Sequence, residues 1–157
     1  MYLFDPSGHI KKYNSVKDII IEFCKVRSDL YIKRYNYELS QLLKIKELLN
    51  EKKRFIEGVI SNKIHIMGVK LEILENNLEN KHKFNPKIGG EPFVGKGRFK
   101  YLTSMPIHTL TKEKIQQVSK DVDEATLNYN KLKSKTPLKI WQQELILFKK
   151  QYNKLLF

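Results

Sequence analysis

Apolar residues recur along this chain with the spacing of helices that pack along one side. From Ile115 through Val118, Val122, Ala125 and Tyr129 to Leu132 the steps alternate three, four, three, four and three. That is an uninterrupted heptad seam. Leu138, Trp141, Leu145, Phe148, Tyr152 and Leu155 repeat the same steps after a break at Thr136-Pro137. There Thr136 suits an N-cap and Pro137 the first helical turn. A third stripe, Ile19, Phe23, Val26 and Leu30, slips once in phase and resumes at Tyr35, Leu39 and Leu42. Neither Pro nor Gly interrupts residues 15–49. Such a helix would be a rod of roughly 50 Å. Ser15 and Asp18 stand at capping-box spacing at its start, with Asp in place of Glu or Gln.

Elsewhere the pattern is shorter. Tyr2-Leu3-Phe4 and His9-Ile10-Lys11-Lys12-Tyr13 flank Asp5-Pro6-Ser7-Gly8 and predict a small hairpin. From Asn50 to Asn80 the stripe breaks up. Phe55, Ile56, Val59 and Ile60 form one face, Ile64-His65-Ile66 alternates like a short extended piece, and Leu71, Leu74 and Leu78 suit a short helix after Gly68. Residues 84–98 hold four of the seven glycines and two of the five prolines and read as a flexible loop. Tyr101–Met105 could form a short helix before Pro106, and Thr111 starts the returning helix. The expected fold is mostly α. A long antiparallel two-helix coiled-coil stalk carries a small helical globular cap, with a short N-terminal β-hairpin. The divisions are an opening hairpin over 1–14, an outgoing stalk helix over 15–49, a cap over 50–110 containing the loop 84–98, and returning stalk helices over 111–157.

Charge changes the picture toward phosphate-rich partners. The chain carries 30 Lys and Arg against 17 Asp and Glu, a formal +13, which favours nucleic acid or an anionic surface. A codon bias toward Lys, Asn and Ile is the plainer reading. Cys24 is the single cysteine and excludes an internal disulfide. No apolar run reaches the roughly 18 residues of a membrane span. No basic region followed by an apolar core reads as a secretory signal, so an intracellular protein is expected and no membrane partner.

Independent catalysis finds little support. Gly90, Gly95 and Lys96 have phosphate-loop spacing, but Gly97 stands where that motif needs Ser or Thr. His9, His65, His82 and His108 lack metal-ligand spacing. No serine or cysteine sits in a nucleophile motif. No catalytic residue, metal ligand or cofactor site is assigned.

Several stretches resemble the region that follows the catalytic core in eukaryotic and large-DNA-virus type IIA DNA topoisomerases. They are Lys12-Tyr13 with Ile19, Phe23, Arg27, Tyr31 and Arg34, then Arg54-Phe55-Ile56. Tyr101-Leu102-Thr103-Ser104-Met105-Pro106-Ile107 with Leu110-Thr111-Lys112-Glu113-Lys114 is the most specific, and Trp141, Leu145 and Phe148 complete the series. Lys100 and Thr103 depart from the family's Asp and Leu, and residues 81–98 match nothing in it. The resemblance implies a C-gate module: the cap joins its twin in a homodimer and closes the exit gate for the transported duplex. It implies that the nucleophilic tyrosine, the magnesium carboxylates and the ATPase region lie in a parent enzyme rather than here, with magnesium and ATP as that enzyme's cofactors. Arg34-Tyr35 imitates the nucleophile dipeptide but lies in an amphipathic stripe, where Tyr35 is read as packing.

The physical demands of such a gate nominate an apolar patch of Phe55, Val59, Ile64, Ile66, Leu71, Leu74, Tyr101, Leu102, Met105 and Ile107. For any one of these, a place in the cap's own core is an equal alternative. Thr136 and Pro137 are the candidate hinge. Weak, non-specific duplex contacts are expected from stalk lysines and arginines, with a solvated helix face as the alternative. A nuclear location is expected or, for a large DNA virus, host cytoplasm or nucleus. The competing readings are a free-standing coiled-coil scaffold that oligomerises through its seams and a stand-alone basic nucleic-acid-binding protein.

Overall fold

The structure, a computed structural model, describes residues 1–88 and 97–156. It opens with a hairpin of β1 (Tyr2–Phe4) and β2 (Ile10–Lys12), antiparallel with Tyr2 opposite Lys12 and Phe4 opposite Ile10. The turn closes through Gly8 N donating to Asp5 O at 3.0 Å, with Gly8 at φ +83°. The Asp5 carboxylate accepts from Ser7 N and His9 N, both at 2.9 Å. Proline sets the second position and glycine takes the conformation other residues resist.

The long helix α1 spans Val16–Ile60. Its start is the reciprocal box expected from sequence: Asp18 N donates to Ser15 Oγ at 3.2 Å, and Ser15 N donates to Asp18 Oδ2 at 3.0 Å. Its end is not where the stripe suggests. The pattern closes this helix at Leu49, yet it continues for eleven more residues. The Lys- and Glu-rich 51–54 interrupts the apolar pattern without breaking the helix, and Phe55, Ile56, Val59 and Ile60 carry the inward face on. The helix stops where Asn62 adopts φ +56°. Lys63 N then donates to Gly58 O at 2.9 Å and Asn62 N to Val59 O at 3.1 Å, which satisfies the last carbonyls. Gly58 is needed at this close approach, because a Cβ there would lie 2.5 Å from Ile64 Cδ1.

The remaining helices are α2 (Leu71–Asn76), running into a π-helical turn at Asn77–Lys81, and α3 (Lys100–Thr103). After a 3-10 turn at Ile107–Thr109 come α4 (Lys112–Lys133) and α5 (Pro137–Leu156). Thr111 Oγ1 caps α4 by accepting from Lys114 N, and Thr136 Oγ1 caps α5 by accepting from Lys139 N, both at 3.3 Å. Ile64-His65-Ile66 forms no strand. The fold is mostly α with one N-terminal hairpin, as the sequence pattern predicts.

Two compact units result, 1–40 with 131–157 and 41–130, and the boundary falls inside α1. In the second, Phe55, Leu74, Leu78, Phe84, Phe99 and Leu102 form the main core together with Ile64. Ile56, Val118 and Val122 form a smaller cluster, to which Leu49, Ile60 and Ile115 add. Lys46 lies 5.2 Å from the Tyr129 ring, and Lys53 Nζ donates to Ser119 Oγ at 3.1 Å. Partners on α1 rise as those on α4 fall, so this pair runs antiparallel. In the first unit Tyr13 and Tyr31 are the buried large side chains.

Candidate interaction surfaces

The Arg-Phe-Ile element divides its labour. Phe55 and Ile56 enter the two core clusters. Arg54 lies over the Phe84 ring at 4.7 Å, donates to His82 O at 2.9 Å and pairs with Glu51 at 2.7 Å. Phe84 meets Phe55 edge-on at 6.2 Å. One arginine thus ties the end of the π-helical turn to α1. Burial, reinforced by Lys81 and Arg54, lowers the pKa of His82. Near Tyr101 the same logic recurs: its hydroxyl donates to Asn85 O at 2.9 Å, and burial with the Glu51 carboxylate holds it protonated. Phe84 lies in the core although it opens the stretch 84–98, and Gly97 N donates to the buried Glu75 carboxylate at 2.8 Å. The rest of that expected flexible loop, with Gly90, Gly95 and Lys96, lies outside the described residues.

The structure sorts the ten candidate contact residues. Phe55, Ile64, Leu74 and Leu102 lie inside the second unit's own core. Val59, Ile66, Tyr101 and Met105 pack on its edge. Leu71 and Ile107 are exposed, Ile107 to 78%. Met67, 88% exposed, and Ile73 are also open, and the sequence pattern nominates neither. A signal exists for both. Met67 sits beside Gly68 in a turn, and Ile73 falls off the Leu71, Leu74 and Leu78 stripe, so each is apolar where the local pattern wants a polar residue.

In the first unit the family-like residues converge. Tyr31, 6% exposed, stacks on Trp141 with ring centres 5.4 Å apart. Its hydroxyl donates to Glu144 Oε2, and Arg34 Nη1 donates to Glu144 Oε1 at 3.1 Å. Arg27 and Arg34 approach the Tyr31 ring at 5.0 and 5.9 Å. The bond from Tyr31 lowers the Glu144 pKa, with Arg34 reinforcing it, and the bond to Glu144 raises that of Tyr31. Sequence reasoning misses Glu144, because a lone carboxylate among lysines carries no spacing signal. Tyr13 makes a similar pair: its hydroxyl donates to Glu22, which also receives Lys11 Nζ at 3.0 Å. Tyr35 donates to Lys133 O at 3.5 Å, a packing position.

The seams differ in cover. Val118, Val122 and Ala125 on α4 are buried, whereas Leu138, Leu145, Phe148, Tyr152 and Leu155 on α5 are all exposed. Residues 131–157 hold seven lysines and one acid, and that acid, Glu144, is already engaged. Among the described residues no cluster of three or more His, Cys, Asp and Glu could hold a metal. Among them, too, no helix is long and apolar enough to cross a membrane.

Residues 1–146 match the family model for DNA gyrase/topoisomerase IV, specifically the A-type polypeptide of those enzymes. The chain is 36% identical over 98% of its length to DNA topoisomerase 2 of Acanthamoeba polyphaga mimivirus, and 32% identical over 94% to DNA topoisomerase 2-alpha of Rattus norvegicus. It spans only 12% and 11% of those relatives. A crystal structure of the Plasmodium falciparum topoisomerase II DNA-binding, cleavage and re-ligation domain superposes with a TM-score of 0.77 at 26% identity. That match covers 98% of this chain and 24% of the other. Sequence and fold thus agree over nearly the whole length, and the chain belongs to the DNA gyrase/topoisomerase IV family of type II topoisomerases.

Proposed function

We propose that this chain is the stalk and C-gate module of a type IIA DNA topoisomerase, joining a second copy of itself so that a transported duplex leaves between them. The observation that carries this reading is the set of exposed large apolar side chains, Met67, Leu71, Ile73 and Ile107, on a unit that already has its own core. Exposed side chains of this size mark contact surfaces rather than folding requirements. A gate must also part again, which a modest apolar contact allows and a fused core does not. Phe55, Ile64, Leu74 and Leu102 serve that contact from beneath, as its rigid support. The Thr136–Pro137 break is the hinge, and the lysines of α5 touch the duplex backbone weakly and without sequence preference. Magnesium and ATP belong, in this reading, to the remaining parts of a longer enzyme working in the nucleus or, for a large DNA virus, in host cytoplasm or nucleus.

Sedimentation equilibrium of the whole chain over a wide concentration range tests it. A reversible dimer is expected, shifted to monomer by Met67→Asp with Ile107→Asp and unmoved by Leu145→Asp. Phe55 is a poor probe, since a charge there unfolds the core. A strict monomer removes the self-association claim. A dimer broken only by Leu145→Asp overturns the gate in favour of a scaffold that assembles through its seams.

A further inference from the structure

We infer that Tyr31, Arg34, Trp141 and Glu144 form a latch that seats the first two turns of α5 on α1 and, by letting go, frees α5 to swing about the Thr136–Pro137 break. The inference rests on the hinge reading above. Three observations carry it. Both Glu144 carboxylate oxygens are taken by α1, one by the Tyr31 hydroxyl and one by Arg34. The Trp141 indole lies on the Tyr31 ring with 20° between planes. Beyond Glu144, residues 145–155 of α5 are all exposed, so no later turn shares the hold. The seat of α5 is therefore concentrated in two residues one turn apart, shortly after the interruption in the helical ladder.

A hold of this kind differs from a packed seam. Apolar seams yield gradually as area is lost. A carboxylate that satisfies two donors at once is made or broken as a unit, since losing either partner leaves charged or polar groups unpaired. Arg34 also bonds Glu38 one turn along α1, at 2.7 Å, so its guanidinium keeps a partner when Glu144 leaves. The released state thus retains a paired arginine, which lowers the cost of opening. Arg27 rests on the Tyr31 ring and keeps it covered on α1.

The test measures the position of α5 rather than stability. In a Cys24→Ser background, spin labels at Lys25→Cys and Gln142→Cys report the distance between α1 and the start of α5. Both sites are exposed and neither belongs to the latch. One narrow distance distribution is expected for the otherwise unaltered chain. Tyr31→Phe and Glu144→Gln, which keep shape and remove the bonds, each broaden it toward longer distances, and the double variant broadens it no further than either alone. Far-UV circular dichroism stays unchanged, which separates a moved helix from a melted one. A distribution that remains narrow in both single variants overturns the latch. If the broadening persists in full when Pro137→Ala is added, the latch stands and the hinge reading fails.

Discussion

At the scale of single residues, close contacts set the expected effects. Gly58 sits mid-helix, where Ala is ordinarily better by about 1 kcal/mol. Here the added methyl meets Ile64 Cδ1 at 2.5 Å and Cγ1 at 2.9 Å, within the core. Overpacking costs roughly 1–3 kcal/mol. Gly58→Ala should therefore lower stability by about 1 kcal/mol net, read from the urea midpoint at unchanged slope. Tyr13 and Glu22 give a pH window. The Tyr13 bond, then Lys11, lowers the Glu22 pKa below its ordinary 4.5. That contribution is present above pH 4.5 and is lost as pH falls through the depressed value. The same bond pushes Tyr13 up from 10.0 to about 12. Its contribution is complete below pH 10.0 and disappears as pH rises through about 12. Amide exchange in the hairpin, corrected for its intrinsic pH dependence, should accelerate beyond both limits, and Tyr13→Phe should abolish the alkaline limb. If hairpin protection is the same at neutral pH and above the raised Tyr13 value, Tyr13 does not anchor it.

Among elements, what is legible in the sequence depends on whether a local signal fixes it. The Asp5–Gly8 turn, the Ser15 box and the Thr111 and Thr136 caps are readable because each is decided by neighbours three residues away. The seams of α4 and α5 read identically, yet one is buried and the other open. Periodicity reports which side of a helix is apolar and is silent on what lies against it. The pattern misplaces the end of α1 for a related reason: a charged stretch looks like a break, while the stop is set by Asn62 and Gly58. The row Lys139, Lys150 and Lys154 falls within about 60° of helix arc, away from Trp141 and Phe148. If it meets DNA phosphates, converting all three to Gln should reduce the log–log salt slope of duplex binding by roughly 2–3, near 0.9 per phosphate contact. An unchanged slope excludes this face. Thr136→Ala should cost about 1 kcal/mol of α5 stability through the lost cap, seen as faster amide exchange at residues 137–140.

For the whole molecule, family and fold are legible where the site is not. Arg54-Phe55-Ile56 and the Tyr101 to Pro106 stretch carry the family resemblance, and much of each is built into the core. For that reason they do not mark a surface. Contact residues must be exposed, and exposure is settled only when distant segments meet. Leu71 and Leu74 share one stripe, but only Leu74 is buried. Charge is likewise uneven: the first unit carries 14 Lys and Arg against 6 Asp and Glu, the second 16 against 11. Duplex affinity should therefore fall further when positive charge is removed from the first unit than when as many lysines are neutralised in the second. Filter binding at matched salt checks this, and equal losses would show that location does not matter.

The uncovered half of α5 has a consequence for how the chain melts. Residues 145–156 form about three turns with no buried side chain among those described, and isolated helices shorter than about 12–15 residues are marginal in water. These turns should unravel as a separate cooperative unit, below the transition of the two cores. The sole tryptophan stands at the border, in the stretch held by α1. Heating should then give two signals that do not coincide. Helical ellipticity falls first as the end of α5 frays, while indole fluorescence holds until Trp141 leaves Tyr31. A single melting temperature would misdescribe this protein, because it averages a local event with a global one.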